Sequence, residues 1–243
     1  MPSQIERKVI KQTIMTTVYG VTQYGAKDQI GKQLFAIGLD KKKVRNVFAP
    51  YLTHCVFASL TEAFTNSMAL MEWFKCCAKQ ALKLGRPVEW RTPLGLPVVQ
   101  PYVTVEKQGT GLIFRPVTTK QTSAFPPNFV HSLDSTHMML TALHCYRRGI
   151  TYAAVHDCFW THASDVDEMN RICREQFIAL HEQPITEQLS QFFKSTYLPA
   201  ELRQLMAIQD EPLLKKMEEA LKLNILLGDL DITKVRESQY FFS

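Results

Sequence analysis

Apolar residues recur at every third or fourth position along most of the chain, the spacing of a helix that buries one face. Leu52, Val56, Leu60, Phe64, Met68 and Met71 keep this rhythm and predict one long amphipathic helix over 51–84, ended by Gly85. Residues 3–20 and 26–38 read the same way, and each stops at a glycine, Gly20 and Gly38. Asp40-Lys41-Lys42-Lys43 opens a further helical stretch that Pro50 breaks or offsets. The period then changes. Two β-rich runs between Pro87 and Glu106 flank a Pro/Gly turn and predict a hairpin, with 109–119 adding a strand. Pro126-Pro127 reads as the start of a helix running to Arg148. The short apolar runs 150–155 and 158–162 around His156-Asp157 predict a second hairpin. Asp165 is placed to cap a helix reaching Glu182, and 185–238 reads as helical pieces separated by Pro199, Pro212 and Gly228. The class is α+β, mostly helical with small antiparallel hairpins. No change of composition marks a domain boundary.

The chain has 243 residues, 46% hydrophobic and 21% charged, which excludes a disordered protein. No apolar run approaches the roughly 18 residues that a membrane span needs. The first residues, Met-Pro-Ser-Gln-Ile-Glu-Arg-Lys, have neither signal-peptide nor transit-peptide character. Six cysteines form no CxxC pair and read as reduced thiols, mostly in the core. His156, Cys158 and His162 do not make a four-ligand zinc spacing. Charge is unevenly divided: residues 1–120 hold 17 Lys and Arg against 7 Asp and Glu, and residues 121–243 hold 11 against 16. The basic half suggests a surface for a polyanion; ordinary solvated charge is the alternative.

Three places carry candidate chemistry. Arg7, Lys11, Met15 and Tyr19 are four residues apart, so on a helix they form one slowly drifting stripe about 18 Å long. Cations near a helix N-terminus followed by an apolar and aromatic platform suit a nucleoside triphosphate. A solvated basic face with a Tyr at its end is the alternative, and Ile10, Ile14 and Val18 form a neighbouring apolar line that can anchor the helix. Asp157, at the tip of a hairpin, is exposed yet rigidly held, which suits an oxygen ligand of Mg²⁺; a turn aspartate that satisfies local backbone is the alternative. His131, in the first turn of a helix beginning at Pro126, can donate to a substrate or to a base-pair edge, or be a partly buried His bonded to backbone.

Taken together and in order, these segments resemble the single-subunit, phage-type RNA polymerases, most closely their mitochondrial branch. Arg7 to Gly20 is similar to motif B of that family, R-x3-K-x7-YG, and Val155-His156-Asp157-Cys158 to its motif C. Pro127-Asn128-Phe129-Val130-His131-Ser132 resembles a third characteristic segment, with Trp90–Val98 and the aromatic C-terminus Tyr240-Phe241-Phe242-Ser243 adding to the match. The resemblance implies the fingers and palm of a right-hand polymerase, about 1–85 fingers and 86–243 remaining fingers and palm. It implies DNA-templated RNA synthesis from ribonucleoside triphosphates in the mitochondrial matrix, with a DNA template, an RNA transcript and mitochondrial transcription factors as partners. On these residues it implies that Arg7 and Lys11 hold the triphosphate, Lys11 donating a proton to the pyrophosphate. Met15, Tyr19 and Gly20 line the nucleotide, Tyr19 takes part in choosing ribose, His131 reaches the minor-groove side of the new pair, and Asp157 ligates two Mg²⁺ ions.

In that family a second metal-binding aspartate lies upstream of motif B, which here begins at Arg7; the expectation is that these 243 residues are the C-terminal part of a longer polymerase, inactive without that carboxylate. Family A DNA polymerases share the R-x3-K helix and a His-Asp turn. They carry a large aromatic four residues after the lysine and usually a Glu after His-Asp, where this chain has Met15 and Cys158. A catalytically inactive nucleic-acid-binding fragment is the other alternative.

Overall fold

The start of the second helix is set by one hydroxyl: Thr22 Oγ1 accepts from the backbone N–H of Gly25 at 3.1 Å, which begins the helix at Gln23 rather than at 26. The structure, a computed structural model, describes residues 5–18, 21–108, 111–225 and 228–241. They divide into two compact units, Met1–Lys75 and Cys76–Ser243. The division falls inside a continuous helix, so there is no linker whose composition could have announced it.

The first unit is helical. Helices α1 (Arg7–Val18) and α2 (Gln23–Ala36) are followed by a run through α3 (Lys41–Lys43), a π-helical turn (Val44–Phe48) and α4 (Ala49–Ala63). Asp40 caps this run by accepting from Lys43 N at 2.9 Å. Pro50 offsets the run without breaking it. The Ala49 N–H reaches back five residues to the Val44 carbonyl, and the proline, which has no N–H to place, sits in the first turn of α4. Val9, Ile30, Leu34, Val44, Ala49 and Leu52 form the core.

The single helix expected over 51–84 is two. Phe64, at φ −128° and ψ 47°, separates α4 from α5 (Thr65–Lys83). Neither glycine nor proline marks the break. Thr61 and Thr65 donate back to the carbonyls of Phe57 (2.8 Å) and Thr61 (3.0 Å), side-chain competition that bends helices.

The second unit begins with two hairpins where one hairpin and an added strand were expected. Strand β1 (Glu89–Arg91) pairs with β2 (Pro97–Val99), and β3 (Val103–Gln108) with β4 (Gly111–Pro116), both antiparallel and in separate sheets. Helix α6 runs from Thr118 to Arg147, so it begins two turns before Pro126-Pro127, which lie inside it. Its first turns are held from outside. The Gln121 side chain accepts from Val88 N at 3.1 Å and from Gln100 Nε2 at 2.9 Å, and donates to the Gln100 and Tyr102 carbonyls. Phe125 and Phe129 of the same helix enter an aromatic core with Trp90, Phe193 and Tyr197, neighbouring rings standing 5.1–6.1 Å apart.

A third hairpin, β5 (Ala153–Val155) and β6 (Cys158–Trp160), precedes α7 (Val166–His181). Asp165 occupies the N-cap position of α7, but its side chain caps no backbone N–H; a 3₁₀ turn (Ala163–Asp165) leads into the helix instead. Helices α8 (Ile185–Tyr197), α9 (Ala200–Gln209) and α10 (Glu211–Leu221) close the unit. The break between α9 and α10 is at Asp210, which caps Leu213 N at 3.0 Å, and Pro212 falls in the first turn of α10. Among the described residues no helix is long and apolar enough to cross a membrane.

Candidate functional site

Helix α1 presents Arg7, Lys11 and Met15 on one exposed face, and no described carboxylate makes an ion pair with either cation. Its first turn contains no acidic residue, so no carboxylate of that turn offsets the positive helix end. The opposite face is not the apolar line expected at Ile10, Ile14 and Val18. Val9, Thr13 and Thr17 are buried instead, Ile10 is half-buried and Ile14 is exposed; the Val18 side chain lies outside the described residues. The anchor is therefore partly polar. Thr13 and Thr16 donate to Gln29 Oε1 on α2 at 3.2 and 3.1 Å, and Thr17 donates to the Thr13 carbonyl at 2.7 Å. Sequence reasoning missed Gln29, because a glutamine on a helix gives no periodic signal. Tyr19 and Gly20 lie outside the described residues.

Asp157 occupies the second position of the two-residue turn that joins β5 to β6, closed by the Val155–Cys158 pair. His156, the first turn residue, has φ 54°, the only non-glycine residue with positive φ among those described. An L side chain there costs energy, and such strain persists only where the surroundings impose it. The surroundings are firm. On the inner face Tyr152 and Phe159 pack on a buried cluster of Cys145, Met169 and Ile172. Phe159 lies 6.1 Å from the His137 ring of α6. His137 Nε2–H donates to the Cys173 carbonyl at 2.8 Å, fixing that ring between α6 and α7. The outer face, with Val155, Asp157, Cys158 and Trp160, is exposed. The Asp157 carboxylate accepts only a weak contact from the Cys158 thiol, 3.8 Å away, so its oxygens face outward on a rigid support.

An exposed carboxylate of this kind fits one oxygen ligand of Mg²⁺, which takes the rest of its shell from phosphates and water. It does not complete a two-metal site: no three His, Cys, Asp or Glu side chains converge among the described residues.

His131 is not in a first turn. Because α6 begins at Thr118, His131 lies near the middle of the helix, exposed, with Nδ1 3.4 Å from Asp134 Oδ2. It borders a cavity of about 300 Å³ lined also by Trp90, Gln100, Asn128, Ser132 and Ser135. Trp90 Nε1 donates to Ser132 Oγ at 3.0 Å, and Asn128 Nδ2 to Gln100 Oε1 at 3.1 Å. His131 and His137 share one helix, about 9 Å apart along its axis, and His137 meets the hairpin that carries Asp157. The Arg7-Lys11-Met15 stripe thus stands in the first unit, and His131 and the Asp157 hairpin stand at separate places in the second, connected through α6.

Comparison with known proteins places these residues in context. The family model described as DNA-dependent RNA polymerase matches residues 1–225. The chain is 44% identical over 252 residues to the mitochondrial DNA-directed RNA polymerase of Mus musculus, covering 98% of this chain and 21% of that protein. It is 44% identical over 253 residues to the human mitochondrial enzyme, covering 98% and 20%. It is 42% identical over 255 residues to the chloroplastic DNA-directed RNA polymerase 3 of Nicotiana sylvestris, covering 99% and 24%. The chain spans between a fifth and a quarter of the length of these relatives.

Proposed function

The chain belongs to the DNA-dependent RNA polymerase family, and from that premise we propose that it is the fingers and palm portion of a single-subunit polymerase that extends RNA on a DNA template. The observation that carries this reading is Asp157: an outward carboxylate on a two-residue turn, strained at His156 and braced from behind by Phe159. A residue that must meet metal and nucleic acid at a fixed place needs such a mount.

Arg7 and Lys11 bind the triphosphate of the incoming ribonucleotide. Their charges are available because no described carboxylate neutralises them. Lys11 supplies a proton toward the departing pyrophosphate, and Met15 and Tyr19 support base and sugar. His131, at the rim of its cavity, donates to the minor-groove edge of the new pair. Asp157 contributes one carboxylate to the Mg²⁺ site. When bound, the two ions would lower the barrier by activating the RNA 3′ hydroxyl and balancing charge on the phosphate. The second carboxylate comes from protein outside these 243 residues, in keeping with relatives four to five times as long. The mitochondrial matrix is the proposed setting and mitochondrial transcription factors the proposed partners, supported by the mitochondrial mouse and human relatives at 44% identity; the chloroplastic relative stands at 42%.

The test is templated extension of an RNA primer with Mg²⁺, comparing the purified 243-residue chain with a full-length single-subunit polymerase that carries it. Extension is expected only in the full-length protein. Extension by the 243 residues alone, at a comparable rate, overturns the assignment of Asp157 as one of two required carboxylates.

A further inference from the structure

The second unit holds a cavity that the proposed function leaves unused. It measures about 260 Å³ and is lined by Lys194 and Leu198 at the end of α8, Arg203 of α9, and Glu218 and Lys222 at the end of α10. Sites for drug-sized ligands begin at about 300 Å³, so this one fits a small molecule or ion. None of Arg7, Lys11, His131 and Asp157 lines it.

Its walls are tied down from several sides. The last turn of α8 is fixed to the chain before β1: Arg86 Nη1 donates to the Thr196 carbonyl at 2.7 Å, and the Tyr197 hydroxyl donates to the Pro87 carbonyl at 2.8 Å. The end of α10 is fixed to α8, where Ser190 Oγ donates to the Leu221 carbonyl at 2.6 Å. Leu198, Leu214, Met217 and Leu221 are buried behind the charged groups. Lys194 and Glu218 are half-buried, so their stems have limited freedom.

The charges are unusual in being apart. Lys194 and Lys222 stand at helix C-termini, where carbonyl groups favour cations, and helix electrostatics accounts for both. It does not account for Arg203, one turn inside α9 and close to the end that disfavours a cation. Lys222 is held at 2.9 Å by Glu219, which lies outside the cavity lining. Lys194, Arg203 and Glu218 make no ion pair among the described residues, although they line one small space. Two unpaired cations and one unpaired carboxylate therefore face whatever enters.

The geometry points to this cavity as a binding site for a protonated phosphate, either orthophosphate or pyrophosphate. Lys194 and Arg203 donate to its anionic oxygens, the guanidinium through two parallel N–H groups. An ionised carboxylate can only accept, so Glu218 repels an anion that brings no hydrogen to it. Inorganic phosphate and pyrophosphate keep an O–H at neutral pH and donate it to Glu218. Sulfate has no such O–H, and neither has a phosphodiester, so the carboxylate excludes both sulfate and a nucleic-acid backbone.

The test is isothermal titration of the purified 243-residue chain with orthophosphate, pyrophosphate and sulfate at constant ionic strength and neutral pH. One site per chain is expected, with a Kd of about 1 mM or below for a phosphate and at least about tenfold weaker binding of sulfate. K194M/R203Q should weaken phosphate binding by at least about tenfold. Glu218→Gln should bring sulfate to within about twofold of phosphate, because an amide can donate where the carboxylate could only accept. Circular dichroism checks that each variant is folded, and if K194M/R203Q is not, the selectivity of Glu218→Gln decides alone. Tighter binding of pyrophosphate identifies it as the ligand, and tighter binding of orthophosphate identifies the single ion. Equal affinity of the parent for phosphate and sulfate overturns the proposal, as does the absence of saturable binding. Binding that survives K194M/R203Q but falls in R7Q/K11Q places the ion on α1 and overturns it too. Primer extension by the full-length polymerase tests the proposed function separately, since none of its site residues is altered in K194M/R203Q or Glu218→Gln.

Discussion

His137 donates through Nε2 to the backbone carbonyl of Cys173 at 2.8 Å, and that bond makes one buried imidazole the brace between α6, α7 and the hairpin carrying Asp157. The carbonyl can only accept, so the proton sits on Nε2. Burial holds the His137 pKa below its usual 6.5, with His181 pushing the same way and the Cys173 bond and Asp134 opposing. The folded state therefore resists protonation at this ring. Its stabilising contribution is complete above pH 6.5 and is lost as pH falls from there toward the lower folded-state value. Urea unfolding between pH 7.5 and 5 should show a decline beginning near 6.5 that is smaller in His137→Gln. Parallel pH profiles for the two proteins would assign the decline to other groups.

Gln29 should act as a positioning residue for α1. Gln29→Leu removes the acceptor of Thr13, which is fully buried, and leaves that hydroxyl without its partner on α2. The expected cost is about 1–3 kcal/mol of stability. Gln29→Glu, which keeps a side-chain oxygen acceptor, should recover part of it. Chemical denaturation of the three proteins checks this.

Asp157→Asn, made in the full-length polymerase, should abolish nearly all nucleotide addition and leave template binding intact, because it removes charge from the metal site and none from the basic surface. A variant retaining about a tenth of the parent rate or more would make Asp157 a structural turn residue.

Lys11→Ala should slow the chemical step by about a hundredfold, the equivalent of about 3 kcal/mol of charge stabilisation. Single-turnover rates at saturating ribonucleotide measure it directly. An unchanged rate would return α1 to the status of a solvated basic face.

Tyr19→Phe keeps the ring and deletes the hydroxyl that would recognise a ribose 2′ oxygen. It should spare ribonucleotide addition and raise deoxyribonucleotide use about tenfold or more, about 1.4 kcal/mol of discrimination. The ratio of catalytic efficiencies for matched ribo- and deoxyribonucleotides gives the answer, and an unchanged ratio reduces Tyr19 to packing.

What could be read in the sequence follows from how each feature is encoded. The Arg7-Lys11-Met15 stripe is a spacing, and the Asp157 hairpin is two short apolar runs around a polar pair; both are local and survive into the structure. The start of α6 is not local. Pro126-Pro127 has the form of a helix beginning, and Val88, Gln100 and Tyr102, which are 33, 21 and 19 residues from Gln121, hold the two turns that precede it. The break at Phe64 depends on threonine hydroxyls turning back on their own helix, where periodicity sees only an uninterrupted apolar stripe. The polar anchor of α1 joins two helices through a glutamine that belongs to no pattern on either.

The backbone of His156 carries a lesson for engineering. At φ 54° a glycine would be at ease, and exchanging an L residue for glycine there would relieve strain on the order of 1 kcal/mol. A search for heat-tolerant variants would therefore favour His156→Gly early. Whatever such a variant lost in synthesis would measure what the imidazole contributes beside Asp157, and so convert a conformational cost into a readout of function.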